Sequence, residues 1–279
     1  MNTRDRRSAA RARLEREMAA RAETARRRRR LQTTIAVVAV AALLVGLTVW
    51  IVIATGDDDS SNTAQPLPST SSGPLTCAWT PLFNPSASPS GSPQPTPSGV
   101  KEVGTPPTNP PRTGTQVMTI DTNLGPIKIE MDLSKVPCTA ASLGYLASKG
   151  FYNNSKCHRM VTSIGALQCG DPGGAGTGGP TYRFDSENLP VGRKPAYTRG
   201  LVAMANSGSS DSNGSQFFFL WKDSALPAQY TVIGKVTQGI EIVDKVAAGG
   251  DNGEYEASGA GGGRPNIELQ IKSVTLASA

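Results

Sequence analysis

Histidine is almost missing from this 279-residue chain: His158 is the only one. A lone histidine makes a poor metal site without carboxylates or thiolates clustered about it, and no Ser-His-Asp or Cys-His arrangement is signalled beside it. General-base hydrolysis therefore lacks its parts, and the sequence implies neither a metal nor a cofactor. Aromatic residues are scarce at 5% and charged ones make up 18%, so the chain does not have the texture of a compact enzyme throughout. The four cysteines (77, 138, 157 and 169) are too few for a disulfide-built miniprotein and include no C-x-x-C pair. What is abundant is Gly (30) and Pro (21), which points to low-complexity segments.

The net charge of +6 is unevenly placed. Residues 1–31 hold twelve Arg against four acids, a net of +8, and the rest of the chain carries −2. A basic arm of this kind invites a nucleic-acid reading, but the next segment gives it a different role. From Ile35 to Ala54 run twenty uncharged, mostly aliphatic residues, enough at about 1.5 Å per residue to cross a bilayer core of about 30 Å. Asp57, Asp58 and Asp59 follow. Arg before and Asp after is the positive-inside pattern, so the expectation is a transmembrane helix over 32–55 with residues 1–31 cytoplasmic. A cleaved signal peptide fits less well: the charged region is long, the apolar region exceeds 7–15 residues and no clear A-x-A site follows. Residues 56–114 hold 13 of the 21 prolines amid Ser, Thr and Gly, and read as a disordered linker that holds a domain away from the membrane.

From 115 onward the texture changes. Residues 115–279 balance 14 basic against 14 acidic residues and suffice for one core. Val117–Asp121 and Ile127–Met131 read as strands around an Asn123-to-Pro126 turn, with Ile127, Ile129 and Met131 on one face. Pro137 suits the first turn of a helix that stops at Gly150. Apolar runs at Leu201–Met204, Ser215–Trp221 and Thr231–Val236 are further strand candidates. Ile240, Val243 and Val246 fall at helical spacing, and Ile267, Leu269 and Ile271 alternate as a last strand. Many short strands and two isolated helices predict an all-β dominated fold, a barrel with helices capping it. Gly174, Gly176 and Gly179 match G-x-G-x-x-G, but Pro172 precedes and Pro180 follows, so no helix starts and the stretch reads as a surface loop.

Five segments go beyond texture. They are Cys157-His158-Arg159-Met160-Val161 with Gln168-Cys169-Gly170-Asp171; Met204-Ala205-Asn206; Gln216-Phe217-Phe218 with Thr231 to Val236; Lys135 to Ala140; and Phe184 to Asn188. Together, falling along roughly 116–277 in the family's own order, they resemble the cyclophilins, the cyclosporin-type peptidyl-prolyl cis-trans isomerases. The resemblance implies a cyclophilin-like eight-stranded antiparallel β-barrel closed by two α-helices, without cofactor. It carries catalytic roles to Arg159, Gln168 and Phe218. Substrate contacts fall on Ala205, Asn206, Gln216, Leu226 and Tyr230, with Ile164 as a pocket wall and His158 beside Arg159. Taken alone, His158 reads as a hydrogen-bonded scaffold residue. Two departures stand out: Gly165-Ala166 occupies the family's Phe-Met position, and Ala225 replaces a Trp that contacts cyclosporin in some members, which implies weak sensitivity to that drug.

The chemistry suits those residues. An X–Pro bond turns over a barrier of about 18–20 kcal/mol because amide resonance is lost at the twisted state. There the prolyl nitrogen gains a lone pair, and a guanidinium can donate to it without giving up its proton. The expected partners are proline-containing polypeptides outside the cytoplasmic membrane and the membrane itself through a single anchor, with no nucleic acid and a monomeric domain. A non-catalytic peptide-binding or scaffolding module on the same fold is the alternative, motivated by Gly165-Ala166. An outward domain permits disulfides. Cys157 and Cys169 flank one hairpin, yet Cys138 could pair with either, and free thiols remain open.

Overall fold

The computed structural model describes residues 76–82, 99–257, 259 and 261–278, all within one compact unit. The basic tail and the expected span at 32–55 lie outside the described residues. Among the described residues no helix is long and apolar enough to cross a membrane.

Eight strands form one antiparallel sheet: β1 (Thr115–Thr122), β2 (Gly125–Asp132), β3 (Arg159–Val161), β4 (Ala166–Cys169), β5 (Leu201–Met204), β6 (Phe217–Leu220), β7 (Val232–Gln238) and β8 (Ile271–Ser278). Their spatial order is β8-β1-β2-β7-β5-β6-β4-β3. The sheet curls until its edges meet. Cys157 N donates to Leu269 O at 2.9 Å and Ile271 N to Ser155 O at 2.8 Å, and Met160 bridges Gly263. Among the described residues the helices are α1 (Pro137–Ser148) and α2 (Ile240–Ala248). The last strand begins at Ile271, later than the alternation at 267–271 implies; Leu269 is buried, but in irregular chain that approaches β8.

Period-two alternation sorts the side chains into two layers. Ile127, Ile129 and Met131 of β2 fill the interior with Met118 and Ile120 of β1, all at most 1% exposed. Val202, Met204, Leu167, Phe217 and Phe219 join that interior cluster. Their chain neighbours Ala203, Ala166, Phe218 and Leu220 form a smaller cluster with Tyr197 and Val232. Alternation puts this second cluster on the opposite, outer face of β4, β5, β6 and β7. Helix α1 has no side-chain cap of its own. Glu187 supplies one from a distant loop: its carboxylate accepts from Thr139 N at 2.6 Å and Cys138 N at 3.4 Å. Desolvation holds that carboxyl above its ordinary pKa, opposed by the same amide donors.

The linker expectation is corrected at two places. Thr80–Pro81 pairs with Tyr182–Arg183, and Val100–Lys101 runs parallel to Gly179–Pro180. Trp79 meets Tyr182 and Phe184 edge-on with ring centres 5.5 Å apart, and Tyr145 Oη donates to Val103 O. Composition misleads here because Cys77, Trp79, Leu82, Val100 and Val103 are embedded among the prolines and give this arm apolar area to bury. A Cys77–Cys138 disulfide fastens the arm to α1, and Cys157–Cys169 ties the hairpin of β3 and β4. The latter is the pairing that a flanked hairpin suggests, while Cys138 takes its partner from the presumed spacer.

Candidate active site

Sheet register aligns the site. Arg159 on β3 pairs with Gln168 on β4, Gln168 with Phe218 on β6, Phe218 with Ala203 on β5, and Ala203 with Val232 on β7. This transverse row crosses the outer face, so the side chains stand on one surface at strand spacing of about 5 Å. Arg159 Nη1 donates to Gln168 Oε1 at 3.4 Å, and its Nε donates to Gly261 O at 3.1 Å. Gln168 Nε2 donates to Gln216 Oε1 at 2.8 Å. The guanidinium is thus held from two sides, half-buried, at the end of a chain of amides.

Over this row opens a cavity of about 120 Å³. Arg159 and Gln168 form one side, Phe218 and Tyr230 stand edge to face 5.5 Å apart, and Ile164 and Leu226 border it. Ala205 and Asn206, just beyond β5, complete the rim. Asn206 Nδ2 donates to Gln229 O at 2.9 Å, which fixes the rim to the loop that carries Tyr230. Among the described residues no histidine, carboxylate or thiol lines this cavity. Phe217 turns inward against Tyr152, so adjacent phenylalanines serve core and cavity as strand alternation requires.

A second cavity of about 530 Å³ adjoins the first and shares Arg159, Gln168, Ala205 and Asn206 with it. Gln216 borders it, donating to Gly176 O at 3.0 Å and Gly178 O at 2.9 Å. Its glycine-rich wall is organised by Asp171. That buried carboxylate accepts from the backbone of Gly173, Ala175, Gly176 and Gly178 at 2.6–3.1 Å. A Cβ on Gly178 would lie 2.0 Å from Asp171 Oδ1 and 2.7 Å from Gly99 O, so only glycine fits there. The loop without a following helix is as expected; its purpose is close backbone packing around a carboxylate.

Nine of the ten expected site residues therefore gather at the two cavities, and His158 does not. It is 3% exposed and borders a separate cavity with Arg264 and Pro172 on the other side of the glycine loop. Desolvation holds its pKa below the ordinary value, with Asp171 opposing and Arg159 and Arg264 reinforcing. Among the described residues neither ring nitrogen has a hydrogen-bond partner, so the hydrogen-bonded scaffold reading also needs correction. The Gly165-Ala166 departure resolves simply. Gly165 takes φ +67° in the β3–β4 turn, while Ile164, Val161 and Ala166 supply the wall. Residue-by-residue comparison with the family missed Val161, as well as Leu82 and Val100 in the arm, and named Ala166 only as a departure. An apolar cluster and a cysteine inside a proline-rich stretch were the available signal for the last two.

Comparison with known proteins identifies the fold and the family. The family profile "Cyclophilin type peptidyl-prolyl cis-trans isomerase/CLD" matches residues 117–276. A "Probable peptidyl-prolyl cis-trans isomerase B" of Mycobacterium leprae is 41% identical over 215 residues, covering 70% of each chain. Its namesake in Mycobacterium tuberculosis is 40% identical, covering 70% of this chain and 67% of its own. A crystal structure of a Cryptosporidium parvum cyclophilin-type isomerase, solved in the presence of the dipeptide Ala-Pro, aligns with TM-score 0.50 and 28% identity over 58% of this chain and 99% of its own.

Proposed function

This chain belongs to the cyclophilin-type peptidyl-prolyl cis-trans isomerases, and from that premise we propose that its barrel isomerises X–Pro bonds of proteins outside the cytoplasmic membrane and so assists their folding. The carrying observation is the row of Arg159, Gln168 and Phe218 beneath a cavity on the scale of one side chain. Phe218, Leu226, Ile164 and Tyr230 hold the prolyl ring dry. Asn206 and Ala205 offer backbone and amide groups to the peptide on the rim, and Gln216 supports Gln168. Arg159 donates to the prolyl nitrogen as the amide twists. This interaction is stronger at the twisted state than in either planar ground state, which is the requirement for acceleration.

Charge and chemistry support the proposed location. The +8 tail precedes the twenty-residue apolar run and three aspartates follow it, which supports a cytoplasmic N-terminus, a single anchor and an external domain. The two disulfides suit an oxidising compartment. Labelling the ectodomain in intact cells tests this; labelling only after lysis overturns it.

The decisive test of the enzyme is X–Pro exchange measured by NMR or a protease-coupled assay. Arg159→Ala is expected to lower kcat/KM about a hundredfold or more, the scale of losing one preorganised donor. A wild-type rate equal to that of Arg159→Ala would favour the non-catalytic peptide-binding module instead.

A further inference from the structure

Leu82 and Val100 come from the stretch whose composition reads as a spacer. Both are half-buried, and both border the larger cavity beside Arg159. The arm that carries them is held from several sides. Leu82 N donates to Thr181 O at 2.7 Å, and Gly179 N donates to Gly99 O at 3.3 Å. Thr181 Oγ1 donates to Glu102 at 2.8 Å, and the Lys101 ammonium lies 5.7 Å from the centre of the Phe151 ring. The Cys77–Cys138 disulfide closes the attachment.

A bland account would make the arm a cover for exposed core. It explains Trp79 and Val103, which pack against the main core cluster. It does not explain Leu82 and Val100, which belong to neither core cluster. Both line the larger cavity, which shares Arg159, Gln168, Ala205 and Asn206 with the pocket over Phe218. The side chains of this wall lie N-terminal to the family region that begins at 117.

We propose that the disulfide-held arm is the far wall of the substrate cleft, and that Leu82 and Val100 contact a residue flanking the X–Pro bond. This rests on the isomerase reading of the Arg159 pocket. Burial of apolar side chains against two aliphatic residues favours an aliphatic or aromatic flanking residue over a small polar one. The arm thus sets substrate preference, while the barrel supplies the chemistry.

The test uses the full chain and two octapeptides centred on the same Ala-Pro, with either leucine or serine on both flanks. The wild type is expected to prefer the leucine peptide three- to tenfold in KM. In Leu82→Ser/Val100→Ser that ratio should fall toward one. Independently, the Leu82 and Val100 methyl signals of the wild type should shift on titration with the leucine peptide, a readout that stands even if the double variant folds poorly. A wild type without preference, a ratio unchanged in the variant, or silent methyls overturns the proposal. If neither octapeptide is turned over, the Arg159 reading fails, and the methyl titration still decides the fate of the arm.

Discussion

The two cavities that meet at Arg159 are built in opposite ways. The smaller is made of side chains from adjacent strands, lined up by ladder register across β3, β4 and β6. One wall of the larger is backbone, a glycine loop wrapped around Asp171, and another is an arm that a disulfide ties to a cysteine 61 residues further along. A register-built site follows from local alternation and tolerates modest changes of side chain. A backbone-built site depends on a few positions where there is no room to change.

That contrast can be broken from either side. The largest effect is expected at Phe218→Ala. It empties the floor of the small cavity and removes a ring that is 5% exposed, at a cost of about 3–5 kcal/mol in urea unfolding. It should also raise KM for any X–Pro peptide, whatever its flanks. Cys77→Ser comes next. Opening the Cys77–Cys138 loop is expected to lower stability by about 2–4 kcal/mol. The leucine preference should weaken with it, because the wall it holds belongs to the second cavity alone.

The smallest effect concerns His158, whose ring lies close to Gly176 but borders neither of these cavities. In the unfolded chain its imidazole takes a proton near 6.5, whereas burial keeps it neutral to lower pH in the folded chain. Its contribution to stability is therefore full above 6.5 and drains away as pH falls through the folded value. Unfolding midpoints at pH 7.5 and 5.5 should differ in the wild type, and His158→Gln should narrow that gap. An equal gap in both proteins would place the acid sensitivity elsewhere.

Much of the fold was legible because it is local. Ile127, Ile129 and Met131 declare a half-buried strand, and Pro137 with Gly150 brackets α1 within two residues of its observed end. Arg159, Gln168, Gln216 and Phe218 were legible through motif order, and Ile164 through the search for a missing wall. His158 was misplaced because adjacency to Arg159 does not fix facing: His158 lies just before β3, and its ring is buried away from the cavity that Arg159 borders. The arm was misread because proline content averages over a window, while burial is decided residue by residue. Trp79 and Cys77 outweigh the prolines beside them only because Tyr182, Phe184 and Cys138 are there to receive them.

The amino-acid order alone was enough to separate a charged tail, an apolar run, a proline-rich stretch and a barrel-forming region, because charge, length and periodicity are properties of neighbours in the chain. It was also enough to nominate the arginine and its amide partners. Which cysteine meets which, which loop glycines must be glycine, and where the far wall of the cleft comes from were settled by packing. Those facts depend on contacts between residues far apart in the chain, such as Gly99 against Gly178 or Glu187 against Thr139, and no local pattern encodes a distance across the fold.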